Sequence, residues 1–339
     1  MFTADPRFLS RNPLFLKIKA QSALMRFASP PPIVEAEFGS NWIREVESRI
    51  DGVIARWYFF PDIAPSLNVL RNVEGYDRLK RKLNPRNDDF FTLTSQLEVS
   101  AWLCMHLPRD SASLEDCFET SRGKHPDLRL QFNAEPYFVD TTKVMEYNGQ
   151  LAMWNLQFGF SMLVDYMMKT TGNPLSISLQ FHRSPDEIEI NEILQVAGEL
   201  ARKGMLDQEH KTGNFSITLN TFGEGVLVSE LPRPWVDKLK DRLLDKCAQF
   251  DPGQKNVVVI DVTSMLGTFK TYCEAMVKVF NTVSTDLISC VILFEKKYVV
   301  ESDEIRSKTG FMMVPNPLAR DGHNVKTILY KLLLNATSI

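Results

Sequence analysis

The run NVVVIDV at residues 256–262 is apolar without alternation from Val257 to Ile260. A half-buried strand alternates apolar and polar residues. A strand of this kind has no face to offer to water, so both of its faces must be covered. Stretches with helical periodicity stand on either side to do the covering, RPWVDKLKDRLLDKCAQF before it and LGTFKTYCEAMVKVFNTV after it. A second apolar run, LISCVILFEKKYVV, reads as another long strand. Strands alternating with helices predict an α/β fold, a mixed β-sheet flanked by helices. With 339 residues, 44% of them hydrophobic and 24% charged, the chain can build such a core as one large domain or two ordinary ones.

Upstream, SPDEIEINEILQVAGELARKG is the plainest helix. Ser184 suits the N-cap, Pro185 the first helical position and Glu187 a capping box, while Gly204 ends it. Its apolar stripe is Ile190, Ile193, Leu194, Ala197 and Leu200. NFSITLNTFGEGVLVS reads as a β-hairpin turning at residues 223–225. Residues 151–168 are apolar and rich in Met and Phe, which suits a helix; Trp154, Phe158 and Phe160 within it have core spacing. FFTLTSQLEVSAWLCMHLP carries a stripe of Leu93, Leu97, Ala101 and Cys104 and stops at Pro108, and LEDCFET (114–120) reads as a short strand. Nearer the start, ASPPPIV (28–34) reads as a stiff extended connector. SNWIREVESRIDGVIARW then sets Ile43, Val46, Ile50, Val53, Ile54 and Trp57 on one helical face. The chain accordingly divides into an arm and connector (1–34), a helical lead-in (35–89) and an α/β domain (90–339).

Several function classes are disfavoured. The five cysteines are scattered with no C-x-x-C pair, so a zinc site or a disulfide framework is not expected and a reducing compartment fits. The net charge of −3 argues against a generally basic nucleic-acid coat but leaves room for a local basic groove. The GEG at 223–225 lacks the Walker pattern, and no Gly-x-Ser-x-Gly elbow occurs. The opening MFTADPRFLSRNPLFLKIKA has no apolar core of the signal-peptide kind, and no stretch has the length of a membrane span. A cytoplasmic protein without membrane contact is the expectation.

Chemistry concentrates in GKHPDLRLQFNAEPYFVDTTKVM, residues 123–145, which reads as two strands, near 127–133 and 136–144, joined by a tight turn at NAEP. Asp127 and Asp140 flank that turn and could meet side by side. Two such carboxylates suit Mg²⁺ or Mn²⁺, which takes one or two acids and fills the remaining positions with water and phosphate oxygens. A lysine close by could orient an attacking water or neutralise charge on a phosphorane. Arg122 and Lys124 stand where phosphate contacts would be wanted. The run RLKRKLNPR (78–86) reads as a solvated face.

Helix, strand, Pro126-Asp127, turn, then a strand with an acid and a lysine resembles the PD-(D/E)xK nuclease superfamily. The resemblance covers about residues 90–170, with 256–300 continuing the sheet. It implies a restriction-endonuclease-like core and metal-dependent cleavage of DNA or RNA phosphodiesters. It also implies Asp127 and Asp140 as metal ligands, Lys143 as the assisting lysine, and Glu98, or Gln96 beside it, as the polar residue of the preceding helix.

One spacing departs from the pattern. The family sets acid and lysine two apart, where strand side chains share a face. Here three positions separate Asp140 from Lys143, so a regular strand turns Lys143 away. A β-bulge at residues 141–142 could return it. Otherwise Gln150 or Lys169 substitutes, or the site is dead. The alternative function is therefore a catalytically inactive nuclease-fold module that binds nucleic acid or protein, or assembles with copies of itself.

Overall fold

The computed structural model describes residues 29–50, 55–107, 111–114, 123–132, 134–143, 160, 163, 176–181, 187–213, 215–221, 225–228, 233–263, 269–282, 285–301 and 304–337. Three helices come first, α1 (Pro32–Arg49), α2 (Phe60–Leu70) and α3 (Tyr76–Lys82), with a π-helical turn at Ala55–Phe59 leading into α2. Pro32 opens α1 instead of extending a connector, because a proline at the first helical position has no amide hydrogen to leave unbonded. Helix α4 (Phe90–His106) follows and is buried along most of its length.

The hairpin is formed. Strand β1 (Ser111–Leu114) pairs antiparallel with β2 (Leu128–Phe132), and β2 pairs antiparallel with β3 (Glu135–Lys143). The turn between β2 and β3 places Ala134 at a positive φ of 60°. Strand β1 ends at Leu114, and the rest of the short strand expected at 114–120 falls outside the described residues.

After β3 come β4 (Ser176–Phe181), α5 (Glu187–Lys203), β5 (Glu209–Lys211), β6 (Phe215–Asn220) and β7 (Gly225–Val228). Four of these form a small second sheet in the order β5-β6-β4-β7. The hairpin expected across residues 223–225 is not formed. Strand β4 inserts between β6 and β7, antiparallel to the first and parallel to the second. Ile177 and Leu179 of β4 are buried there, so the central position goes to an apolar strand brought from far away in sequence. The helix expected over 151–168 falls outside the described residues, apart from helical positions 160 and 163.

The last third returns to the first sheet: α6 (Arg233–Cys247), β8 (Lys255–Asp261), α7 (Phe269–Thr282), β9 (Cys290–Glu301), β10 (Glu304–Pro315) and α8 (Gly322–Thr337). The main sheet is mixed and six-stranded, ordered β1-β2-β3-β8-β9-β10. Strand β8 is parallel to both β3 and β9, and β10 closes an antiparallel hairpin on β9. Val257, Val258, Val259 and Ile260 are all fully buried, each worth about 1.5–3 kcal/mol of burial.

Helices cover both faces. On one, Trp102 of α4 packs edge-on against Phe294 of β9, and Phe311 of β10 packs against Tyr330 of α8. On the other lie α6 and α7, with Cys273 of α7 against Met312 of β10. The molecule is an α/β fold with a mixed sheet flanked by helices. Among the described residues no helix is long and apolar enough to cross a membrane.

Candidate functional site

The register of β3 decides the geometry. Residues Tyr137 to Lys143 pair one-to-one with Lys255 to Asp261 of β8, so β3 has no bulge at Thr141 or Thr142. Side chains alternate without interruption, and Asp140 and Lys143 point to opposite faces of the sheet.

On the α6 face, Asp140 is fully buried and Asp127 half-buried. Leu128 pairs with Val139, and one further step of that register sets Asp127 opposite Asp140. The Thr141 amide donates to Asp127 Oδ2 at 2.6 Å, which fixes the carboxyl in place. The ammonium of Lys246, near the end of α6, donates to Asp140 Oδ1. Burial and the neighbouring charge of Asp140 push the Asp127 carboxyl well above the usual carboxylate range. Burial alone would pull Lys246 down, but Asp140 and Asp127 outweigh it and hold the ammonium above its ordinary value. Asp127 thus holds its proton to higher pH than an ordinary aspartate, beside the Lys246–Asp140 ion pair.

That arrangement fits a hard divalent cation. The two carboxyls, one buried and one half-buried, repel when both are ionised, and a cation between them would relieve that repulsion. Their oxygens are the donors magnesium and manganese prefer. Among the described residues no group of three or more His, Cys, Asp or Glu is placed to hold a metal ion, so the remaining coordination would fall to water and substrate oxygens.

On the α4 face lies a separate ionic network. Lys143 Nζ sits 2.6 Å from Asp261 Oδ2, which also accepts from Ser95 Oγ of α4 at 2.7 Å. Asp261 Oδ1 accepts from the Thr263 amide at 2.9 Å. Burial pushes Asp261 up, but the charge and hydrogen bond of Lys143 and the bonds from Thr263 and Ser95 outweigh it and hold it below its ordinary value. Glu98 of α4 takes Lys296 of β9 at 3.1 Å, and Asp62 of α2 lies 3.6 Å from the same ammonium. Burial raises the Glu98 carboxyl, only partly offset by Lys296.

The structure thus separates the residues singled out in sequence. Asp127 and Asp140 come together on the α6 face. Lys143 and Glu98 lie on the α4 face, each committed to another charge, and Gln96 is buried in the same helix. Lys124 is exposed in the loop before Asp127; Arg122, Gln150 and Lys169 lie outside the described residues. Sequence reasoning missed Lys246, which nothing in DKC distinguishes from any solvated helix lysine. It also missed Asp261, and there the signal was visible: an acid ending a doubly covered strand must find a partner.

Compared with known proteins, the chain matches no family model, no curated protein and no solved structure.

Proposed function

We propose that the α6 face carries a divalent-metal phosphodiesterase site acting on DNA or RNA, built on a restriction-endonuclease-like core. Asp127 and Asp140 would hold the cation, and Lys246 would stand in for the lysine that β3 turns away. The observation carrying this reading is the convergence of the two acids and Lys246 on one face, from three separate elements. The element order is compatible with it: helix α4 precedes the β2–β3 hairpin that bears the two acids, in a mixed sheet flanked by helices as the resemblance implies, although β4, α5, β5, β6 and β7 intervene before α6. When bound, a divalent cation lowers the pKa of a coordinated water and stabilises developing charge on the leaving oxygen.

The chain's own groups then have defined tasks. Asp140, fully buried, supplies fixed negative charge. Asp127, half-buried and held by the Thr141 amide, is the more exposed of the two acids and so the one that water could reach. Lys246 keeps its charge at neutral pH and can donate to a phosphate oxygen once Asp140 is otherwise engaged.

The test is hydrolysis of labelled single- and double-stranded DNA and RNA with Mg²⁺ or Mn²⁺, for wild type and the variants D127A, D140A, K246A and K143M. The reading expects metal-dependent cleavage that is lost in the first two, reduced about 100-fold or more in K246A, and kept in whatever fraction of K143M folds. No cleavage of any substrate, together with no Mn²⁺ bound at the two aspartates, would overturn it.

A second reading, an inactive nuclease-fold module serving a nucleic-acid or protein partner or self-assembly, draws on one observation. Lys143 and Glu98, the family's other two positions, are both locked into buried ion pairs away from the acid pair. Tight Mn²⁺ binding dependent on Asp127 and Asp140 would exclude that reading.

A further inference from the structure

Arg129 lies two residues along the chain from Asp127, on the same face of β2, opposite Phe138 of β3 and Ser113 of β1. It is half-buried, and its Nε is shielded from solvent with no hydrogen-bond partner. Among the described residues no carboxylate pairs with it. The acids on its own face are engaged elsewhere, Asp140 by Lys246 and Asp127 by the Thr141 amide. A guanidinium cannot shed its charge, and a buried N–H without an acceptor carries a real cost. Among the described residues, Lys143 and Lys296 of this sheet and Lys246 of α6 each have an acid beside them, and Arg129 does not.

We propose that Arg129 is a substrate-anchoring residue that takes a phosphate group of the nucleic-acid strand adjoining the one at the acid pair. The inference rests on the phosphodiesterase reading and adds the residue that seats the strand. A guanidinium presents a planar fork matching two oxygens of one phosphate. Side chains at i and i+2 on a strand are about 7 Å apart, so the phosphate bound by Arg129 belongs to the same strand as the one at Asp127. Strand β1 ends the main sheet but is bridged on its outer side by Glu74, whose carboxylate accepts from Ser113 Oγ. A polyanion would therefore reach Arg129 and the acids over the α6 face and not past that margin. Arg129 acts by positioning and takes no part in bond cleavage.

The test uses the full chain in EDTA, where nothing is cleaved, with 5′-fluorescein-labelled oligo(dT) and a salt series read by fluorescence anisotropy. Arg129→Gln should weaken binding about 10-fold and lower the slope of log K against log salt by about 0.7, one phosphate contact on a single strand. Arg129→Lys should keep the slope and recover part of the affinity. Two further readouts separate this role from a structural one. The melting temperature of R129Q should hold or rise, since a shielded N–H without an acceptor is removed, and its Mn²⁺ affinity should equal that of wild type. An unchanged affinity and slope in R129Q would overturn the proposal, as would a fall in melting temperature that accounts for the loss of binding. Failure of the phosphodiesterase reading looks different: D127A and D140A would then bind Mn²⁺ as wild type does, whatever Arg129 contributes.

Discussion

Asp140 and Lys143, three positions apart on one strand, lie on opposite faces of the main sheet. Asp140 is bonded to Lys246 of α6 and Lys143 to Asp261 of β8. The Lys143–Asp261 pair ties the ends of two parallel strands to each other and, through Ser95, to helix α4. Lys143→Met leaves a buried carboxylate without its countercharge, at a cost of about 3–5 kcal/mol. Urea unfolding should show it, and the double variant K143M/D261L should recover much of the loss, because matched apolar groups need no countercharge. A K143M midpoint equal to that of wild type would mean the pair does not stabilise the sheet.

The shared site gives a pH dependence of definite sign. In the unfolded chain Asp127 ionises near pH ~4, whereas in the folded protein burial and Asp140 hold its proton on to higher pH. Between those two values the folded state binds more protons, so metal-free stability falls as pH rises. Asp127→Asn lacks that titration. Its melting temperature should exceed wild type by about 2 °C or more at neutral pH, a shift of about 1 kcal/mol, and converge with it in acid. A constant difference across pH would place the titrating group elsewhere.

Under the proposed function Lys246 and a cation would perform the same neutralisation, so each should reveal the other. Lys246→Met should lose about 3 kcal/mol in EDTA, since Asp140 is left buried and ionised. Mn²⁺ at a hundredfold excess over its Kd should return about 2.7 kcal/mol. Differential scanning fluorimetry should therefore show a larger manganese-induced rise for K246M than for wild type. If manganese shifts neither protein, the acid pair holds no cation.

Gly322 begins α8 where the helix turns back over the sheet. A Cβ there would meet the carbonyl oxygen of Asn316 and would lie 2.7 Å from that of Ser289. The loop cannot yield easily. Asn316 Nδ2 donates to the carbonyls of Thr285 at 2.7 Å and Ile288 at 2.9 Å, and its Oδ1 accepts from the Leu318 amide. Gly322→Ala should cost about 3 kcal/mol, the upper range for overpacking, measured by urea unfolding. A neutral result would show that α8 can shift away without penalty.

Where local signals were strong, the sequence was legible. The unalternating run before Asp261 became the buried β8, and the apolar stripe ending at Gly204 became α5, with that glycine at φ 65°. The paired runs around residues 134–135 became the β2–β3 hairpin. The reading failed where a partner was remote. Strands β6 and β7 look like a hairpin until β4 takes the place between them. Strand β10 is not legible locally, because EIRSKTGFMMVP carries no clean alternation and finds its place by lying along β9.

For the candidate site the division is physical. The sequence by itself determined that Asp127 and Asp140 would flank one turn, and that a regular β3 would send Lys143 to the other face, because strand alternation is a local property of backbone geometry. Only the tertiary structure decided which groups answer those charges. Lys246 reaches Asp140 across 106 residues and Asp261 reaches Lys143 across 118. Such pairings follow from how α6 docks on the sheet and how β8 registers against β3. Those outcomes are set by the burial of whole faces, and no short stretch of residues contains them.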